Sequence, residues 1–264
     1  MLGWLILNVI GKMLKSMKKI LYLLLSFIVL YACTDKSDSV GPGESSSGKG
    51  GATARFTIAK NYLYIVDNQS LKVYNIAAAE NPIFIKKVSL RTVVETIFPF
   101  KDHLLVGTQT GMYIYSISDP ENPVSVSVYN HVVSCDPVVA DGDYAYVTLR
   151  RGTGCNRGID ALDIIDIKNL SSPKLIKSYP MQNPHGLGVD GRLLFVTEGD
   201  YGLKVFDRSN PNEIKEIANF KDFSAYDVIP DSNTLIVTGR DGVYQYSYGS
   251  ENELKLLSKI AIEP

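Results

Sequence analysis

Residues 62–88 read YLYIVDNQSLKVYNIAAAENPIFIKKV, and this stretch decides the fold because the chain repeats its pattern five times. A strand-like run is followed by a short polar turn, a second run, a turn that contains proline, and a third run. The proline turn recurs at Pro82, Pro123, Pro173 and Pro211, and Glu253 takes the place of the proline in the fifth copy. The longest interval between these positions separates Pro123 from Pro173. A period of roughly 42 residues built from short strands is typical of a β-propeller with one blade per copy.

Each copy also has a short, partly apolar segment ahead of its first clear run, and we interpret it as the innermost strand of a blade. These segments are residues 56–59, 93–98, 137–140, 186–189 and 226–229. Polar and apolar residues alternate within the runs, as in Leu71-Lys72-Val73-Tyr74, which indicates half-buried strands. We therefore predict an all-β fold: a five-bladed β-propeller of four-stranded antiparallel blades over residues 55–264. Because the copies start and end in phase, we expect blade 1 to pack against blade 5.

The repeats resemble the LVIVD repeat family, named for runs such as Leu63-Tyr64-Ile65-Val66-Asp67. Other matching pieces are LKVYNI, YAYVTL, LDIIDI, LLFVTEGDYGLKVFD and the Asn-Pro turns. The resemblance covers residues 55–264. It implies a propeller of an extracytoplasmic bacterial protein and assigns no chemistry to it.

Residues 1–32 are strongly apolar and carry four lysines and no acidic residue. Within them, residues 20–32 form an uncharged run, ILYLLLSFIVLYA. A membrane-spanning helix needs about 20 apolar residues, whereas the apolar core of a secretory signal is as short as this run. We predict a signal peptide over residues 1–32, with an uncleaved anchor as the alternative. Met17 is a natural start for such a leader, which would make residues 1–16 a mis-set start.

Cys33 follows this run in the sequence Leu-Tyr-Ala-Cys, which resembles the lipobox of bacterial lipoproteins. That resemblance implies that Cys33 is lipidated and anchors the chain to a membrane. Residues 33–54 are rich in glycine and serine and predict a flexible tether. We expect the protein on the bacterial outer membrane or the cell surface, outside the cytoplasm.

Charge and motifs exclude several classes of function. The full chain has a net charge of −1, and removal of the four leader lysines brings it to −5, so we expect no nucleic-acid partner. The three histidines have no ligand-like spacing, and no glycine-rich phosphate motif or Gly-x-Ser-x-Gly elbow occurs. We predict no metal and no cofactor.

Two further cysteines, Cys135 and Cys155, belong to the third copy, which also carries the long insertion at residues 150–161. Propeller topology places the strand connection at Cys135 and the loop at Cys155 on the same face of one blade. We predict that they form a disulfide, worth roughly 3 kcal/mol for a closed loop of about 20 residues. Two free thiols are the alternative.

That same face gathers the loops after the second strands and the connections into the innermost strands. Ligand-binding candidates there are Arg150, His185, Glu198, Asp200, Tyr226, Arg240 and Asp241. Arg150, Glu198 and Arg240 occupy similar offsets and can form an ion-pair network or clamp a carboxylate or a sugar. The alternative is that these loops are polar because they are solvated.

The sequence favours a non-catalytic lipoprotein that binds a protein or glycan partner at the loop-rich face. One alternative is a hydrolase of the lactonase type that acts at the propeller mouth through His185, Glu198 and the arginines. A second alternative is a structural component of an envelope assembly.

Overall fold

The structure is a computed structural model, and it describes residues 51–131, 137–152, 158–249 and 253–262. These residues form twenty strands in five sheets of four antiparallel strands, arranged as a β-propeller. The predicted fold class is therefore confirmed. The described part of the chain holds no helix with the length and hydropathy that crossing a membrane requires.

The strands follow one another from the inside of each blade to the outside. Blade 1 contains β1 (Phe56–Ala59), β2 (Tyr62–Asp67), β3 (Ser70–Asn75) and β4 (Ile83–Ser89). Blade 2 contains β5 (Val94–Phe100), β6 (His103–Thr108), β7 (Gly111–Ser116) and β8 (Val124–Asn130). Blade 3 contains β9 (Val138–Asp141), β10 (Tyr144–Leu149), β11 (Ala161–Asp166) and β12 (Lys174–Pro180).

Blade 4 contains β13 (Leu187–Asp190), β14 (Leu193–Thr197), β15 (Leu203–Asp207) and β16 (Lys215–Phe220). Blade 5 contains β17 (Asp227–Asp231), β18 (Thr234–Gly239), β19 (Gly242–Ser247) and β20 (Lys255–Ala261). The third and fourth strands of every blade shift register once, at a corresponding place, so the five copies share a bulge as well as a sequence pattern.

The core lies in the seams, which we define as the spaces between the facing sheets of consecutive blades. Tyr64, Leu105, Tyr146 and Phe195 occupy the same position on the second strand of blades 1 to 4, and each is 0 or 1% exposed. Four clusters of buried apolar side chains fill the four seams from blade 1 to blade 5. Because each sheet needs a neighbour on either side, the repeat stabilises itself through these seams.

Among the described residues, the boundary between blades 5 and 1 lacks the apolar packing of the four seams. None of the four apolar clusters contains side chains from both blades. The contact there is polar: Thr53 Oγ1 donates a hydrogen bond of 2.5 Å to Asp227 Oδ2. Residues 51–54, assigned to the tether from sequence, belong to the folded body, since Ala52 is 1% exposed and is part of the apolar cluster between blades 3 and 4.

The loops between strands lie on two opposite faces of the propeller, an upper face and a lower face. The upper face consists of the loops after the second strands and the connections between blades. The lower face consists of the turns between the first and second strands and the proline-bearing turns.

Candidate functional site

Asp200, in the loop after β14, is the hub of a polar cluster on the upper face. Its Oδ1 accepts hydrogen bonds from Ser224 Oγ at 3.0 Å and from the Tyr226 hydroxyl at 3.1 Å. Its Oδ2 lies 2.5 Å from a terminal guanidinium nitrogen of Arg240. The hydrogen bonds from Ser224 and Tyr226 and the charge of Arg240 lower the pKa of Asp200. One carboxylate of blade 4 thus holds two side chains of the connection into blade 5, and one of blade 5 itself, in place.

The backbone brings these loops together. The Gly199 N–H donates to the Ala225 carbonyl at 2.8 Å, and the Ala225 N–H donates back at 2.9 Å. Gly199 has φ +60°, and a Cβ on it would lie 2.9 Å from His185 Nε2. Glycine is required there both for the left-handed conformation and for the close approach of the imidazole.

His185 is half-buried beside this hub. Its ring packs edge-on against Tyr226, with the centroids 5.2 Å apart and the planes at 73°. Its carbonyl accepts a hydrogen bond of 2.5 Å from Thr148 Oγ1 of blade 3, so its backbone is held by a neighbouring blade. Burial and then the positive charge of Arg150 lower the pKa of His185 to about 4, although Asp200 acts in the opposite direction. The imidazole is therefore neutral at pH 7 and offers one donor and one acceptor.

Glu198 is close to Asp200 in sequence but faces the other way. The side chain is 1% exposed, and its Oε1 accepts a 2.6 Å hydrogen bond from the Gln182 N–H. Its Oε2 lies 3.3 Å from Lys204 Nζ of β15. The contacts of Glu198 are those of a buried structural carboxylate, and Asp200 is the acidic partner of Arg240 in the cluster. As a ligand-binding residue, Glu198 stays a prediction.

The loops of the other blades form ion pairs of their own. Asp67 lies 2.9 Å from Lys72 Nζ within blade 1, and Arg151 lies 3.2 Å from Asp160 within blade 3. Asp241 is exposed beside Arg240 in the loop after β18. The polar cluster is therefore concentrated on blades 4 and 5, with Arg150 of blade 3 near enough to affect His185.

Of the candidates predicted from sequence, His185, Asp200, Tyr226 and Arg240 come together through direct contacts in the described structure. Sequence reasoning missed Ser224, and no sequence signal could have found it, because it is one of several polar residues in the connection before β17. Cys33, Cys135 and Cys155 lie outside the described residues. Within the described ranges, no three His, Cys, Asp or Glu side chains converge as a metal site would require.

The exposed guanidinium group of Arg240 and the neutral imidazole of His185 are the groups of the cluster that suit a ligand with an acidic group. Arg240 is 62% exposed at its side chain although Asp200 holds it. Guanidinium groups pair with planar carboxylates through two parallel hydrogen bonds.

Comparison with known proteins identifies the repeat and the fold. The LVIVD repeat model matches residues 134–180, which confirms the predicted resemblance for blade 3. No protein with a curated description matches the sequence.

Similar solved structures are distant in sequence. The periplasmic gluconolactonase PpgL of Pseudomonas aeruginosa is 15% identical with a TM-score of 0.60, over 77% of this chain and 68% of that one. Apo AztD from Citrobacter koseri is 11% identical with a TM-score of 0.58, over 77% and 60%. A protein from Lactobacillus plantarum is 18% identical with a TM-score of 0.58, over 77% and 69%. At these identities the likeness concerns the fold alone.

Proposed function

We propose that this protein is a membrane-anchored, extracytoplasmic lipoprotein whose propeller binds, without catalysis, an acidic group of a protein or glycan partner. The observation that carries the binding proposal is the Asp200 hub, which orients Arg240, Tyr226 and Ser224 before any ligand arrives. The Ser224 and Tyr226 hydroxyls donate to Asp200, so Arg240 supplies the donors for the ligand. A donor that is already held in place loses little conformational entropy on binding, which supports affinity. The anchoring proposal is supported by Cys33 and the apolar run before it.

Calorimetric titration with oligogalacturonate, and with its neutral methyl ester as the comparison ligand, tests the binding proposal. We expect the acidic form to bind and the ester to bind at least about tenfold more weakly, because a hydrogen bond to a charged group is worth about 1.5–3 kcal/mol. Arg240→Ala is expected to reduce affinity for the acidic form by a similar factor. The matched control is Arg91→Ala, an exposed arginine in the connection between blades 1 and 2 on the same face.

A protein partner is tested in parallel by cross-linking in intact cells. A specific partner captured by the wild type should be lost from Arg240→Ala and retained by Arg91→Ala. If the acidic glycan does not bind and no cross-link depends on Arg240, the proposed binding function is wrong.

The anchor is tested separately, because its failure leaves the binding proposal standing. Cys33→Ser should abolish metabolic labelling with palmitate and release the protein from the membrane fraction. Labelling that persists in this variant would rule out Cys33 as the lipidation site.

A lactonase-type enzyme is the second candidate, and the position of His185 in ring contact with Tyr226 on the upper face favours it. The neutral imidazole can accept a proton from water, but its pKa of about 4 makes it a weak base at pH 7, because a general base works best with a pKa near the working pH. Turnover of D-glucono-1,5-lactone, followed by proton release, checks this candidate. His185→Ala should abolish any turnover with the fold intact, whereas a wild type without turnover removes the candidate for this substrate.

A further inference from the structure

A groove of about 490 Å³ opens on the lower face, between blades 3 and 4. Its charged and polar lining includes Asp141, Asp143, Tyr144, Arg192, Arg208 and Ser209. The turns that border it contain Gly142 and Gly191, and a Cβ on either glycine would meet no atom within 4 Å, so the rim is open to solvent. The groove lies at the opposite end of the blades from the Asp200 cluster.

Arg208 is the charged member of a set of equivalent repeat positions. The residue after the third strand is Ile76, Ile117 and Ile167 in blades 1 to 3, Arg208 in blade 4 and Tyr248 in blade 5. In every blade its N–H donates to a carbonyl of the turn between the first and second strands, so the five positions are equivalent. Ile117 and Ile167 are 0 and 2% exposed. The Arg208 side chain is also nine-tenths buried, with 10% exposure.

The surroundings of Arg208 satisfy the guanidinium only in part. It forms an ion pair with Asp141, and one terminal nitrogen donates to the Tyr146 hydroxyl at 3.2 Å. Its Nε–H is buried and has no hydrogen-bond partner among the described residues. Burying a charge with an unsatisfied donor costs free energy that an isoleucine would avoid. Tyr248 of blade 5 donates to Asp190, the counterpart of Asp141, so a polar contact with the preceding blade recurs at this position. What distinguishes Arg208 is a buried charge with an unpaired Nε–H, and such a local conflict is typical of functional sites.

The charges of the lining select the class of ligand. Asp141 and Asp143 balance Arg192 and Arg208, and Arg192 also lies 2.7 Å from Asp207. An anion or a cation would therefore meet no excess of opposite charge. Carboxylates and guanidinium groups side by side accept from and donate to neighbouring hydroxyls, and the half-buried Tyr144 ring adds an apolar wall.

We propose that this groove binds a neutral saccharide of about two sugar units, a size suited to pockets of about 300–1,000 Å³. Arg208 lines the groove, and its terminal N–H groups that Asp141 and Tyr146 do not use are the donors for a sugar hydroxyl. Asp143, on the exposed turn above it, accepts from sugar hydroxyls. The site is independent of the Asp200 cluster and of the function proposed for it.

Calorimetric titration of the full chain with cellobiose, maltose, lactose and N,N′-diacetylchitobiose tests this proposal. At least one of these sugars should bind the wild type, and Arg208→Ile should weaken that binding by about tenfold or more. Arg208→Ile introduces the residue of blades 1 to 3, and Asp141, 54% exposed at its side chain, stays hydrated. The buried Tyr146 hydroxyl loses its hydrogen bond from Arg208, so the variant should fold with a modest loss of stability. Arg208→Lys keeps the charge but loses the planar, paired donors of the guanidinium group, so it should also weaken binding. This variant replaces Arg208→Ile in the test if Arg208→Ile does not fold.

Asp143→Asn supplies a second variant with a matched control. Asp102 occupies the equivalent turn position in blade 2, so Asp102→Asn should leave the affinity unchanged while Asp143→Asn lowers it. Arg240→Ala on the upper face should also have no effect, which separates this site from the other. The proposal is overturned if none of the four sugars binds the wild type, or if the Arg208 variants that fold bind as the wild type does.

Discussion

The seam between blades 4 and 5 and the boundary between blades 5 and 1 use the same repeat positions but bury very different amounts of side chain. Phe195 of β14 is 1% exposed in the seam, whereas Ile236, its equivalent on β18, is only half-buried. Val205 of β15 is 2% exposed, whereas its equivalent on β19 is the exposed Gln245. A shared sequence pattern therefore does not guarantee a shared interface, because a buried seam needs apolar side chains on both facing sheets.

At that boundary the structure uses a polar contact. Thr53 hydrogen-bonds to Asp227 at the start of β17. Gly51 and Gly186 lie against the same carboxylate, and a Cβ on Gly51 would come within 2.2 Å of it. Both glycines leave room for the carboxylate, so the chain that precedes blade 1 reaches blade 5 without an apolar seam.

The largest expected effect comes from emptying the seam between blades 4 and 5. Phe195→Ala should lower the free energy of unfolding by about 3–5 kcal/mol, the usual cost of truncating a buried phenylalanine. Ile236→Ala at the equivalent boundary position should cost about 1 kcal/mol, because a half-buried side chain contributes about half of its burial free energy. Denaturant unfolding measures both. Equal losses would mean that the boundary is packed as tightly as the seam.

A smaller effect is expected from the carboxyl group at the boundary. Burial raises the pKa of Asp227 above its ordinary value of 3.8, despite the opposing hydrogen bond from Thr53. Between pH 3.8 and the raised pKa, the folded state therefore holds the proton on Asp227 more tightly than the unfolded state does. The stability that Asp227 contributes is therefore complete below about pH 3.8 and is lost as the pH rises through the raised pKa.

Asp227→Asn removes this titration and should flatten the corresponding part of the stability curve. The measurement is thermal unfolding of both proteins from about pH 3 to about pH 7. The difference between the two curves isolates Asp227, because His185, with its pKa lowered to about 4, makes the folded state less stable below pH 6.5 in both proteins. A difference that does not change with pH would show that Asp227 keeps an ordinary pKa.

The smallest effect is expected on the outer edge of blade 5. Ile260 of β20 is 70% exposed. Ile260→Lys should therefore change the free energy of unfolding by no more than about 0.5 kcal/mol, as is usual for surface substitutions. Denaturant unfolding provides the check. A larger loss would reveal a buried contact at this edge and would weaken the contrast between the boundary and the seams.

Local sequence was enough to predict most of the strands. The innermost strand predicted at residues 56–59 is confirmed as β1, and the other four are confirmed with small shifts at their ends. Alternation of polar and apolar residues with period two indicates a strand, because successive side chains of a strand lie on opposite faces. Pro, Gly and Asn between the strands indicate turns, because they favour turn conformations. The same signals predicted which loops share the upper face.

Partner choice within that face could not be read from the pattern. Glu198 and Asp200 are both acidic residues of one short turn, yet Glu198 binds Lys204 in its own blade and Asp200 binds Arg240 in the next. The direction of each side chain depends on the left-handed turn at Gly199 and on its bridge to Ala225, which belongs to the connection into the next blade.

The repeating order of apolar and polar residues was sufficient to specify twenty strands and five blades, because hydrogen bonding and burial within one blade depend on residues close in the chain. Tertiary structure alone decided which carboxylates meet which arginines, how blade 5 contacts the start of blade 1, and that the Arg208 side chain is buried beside a groove. Those outcomes depend on distances between residues that are far apart in sequence, and a repeat pattern does not specify such distances.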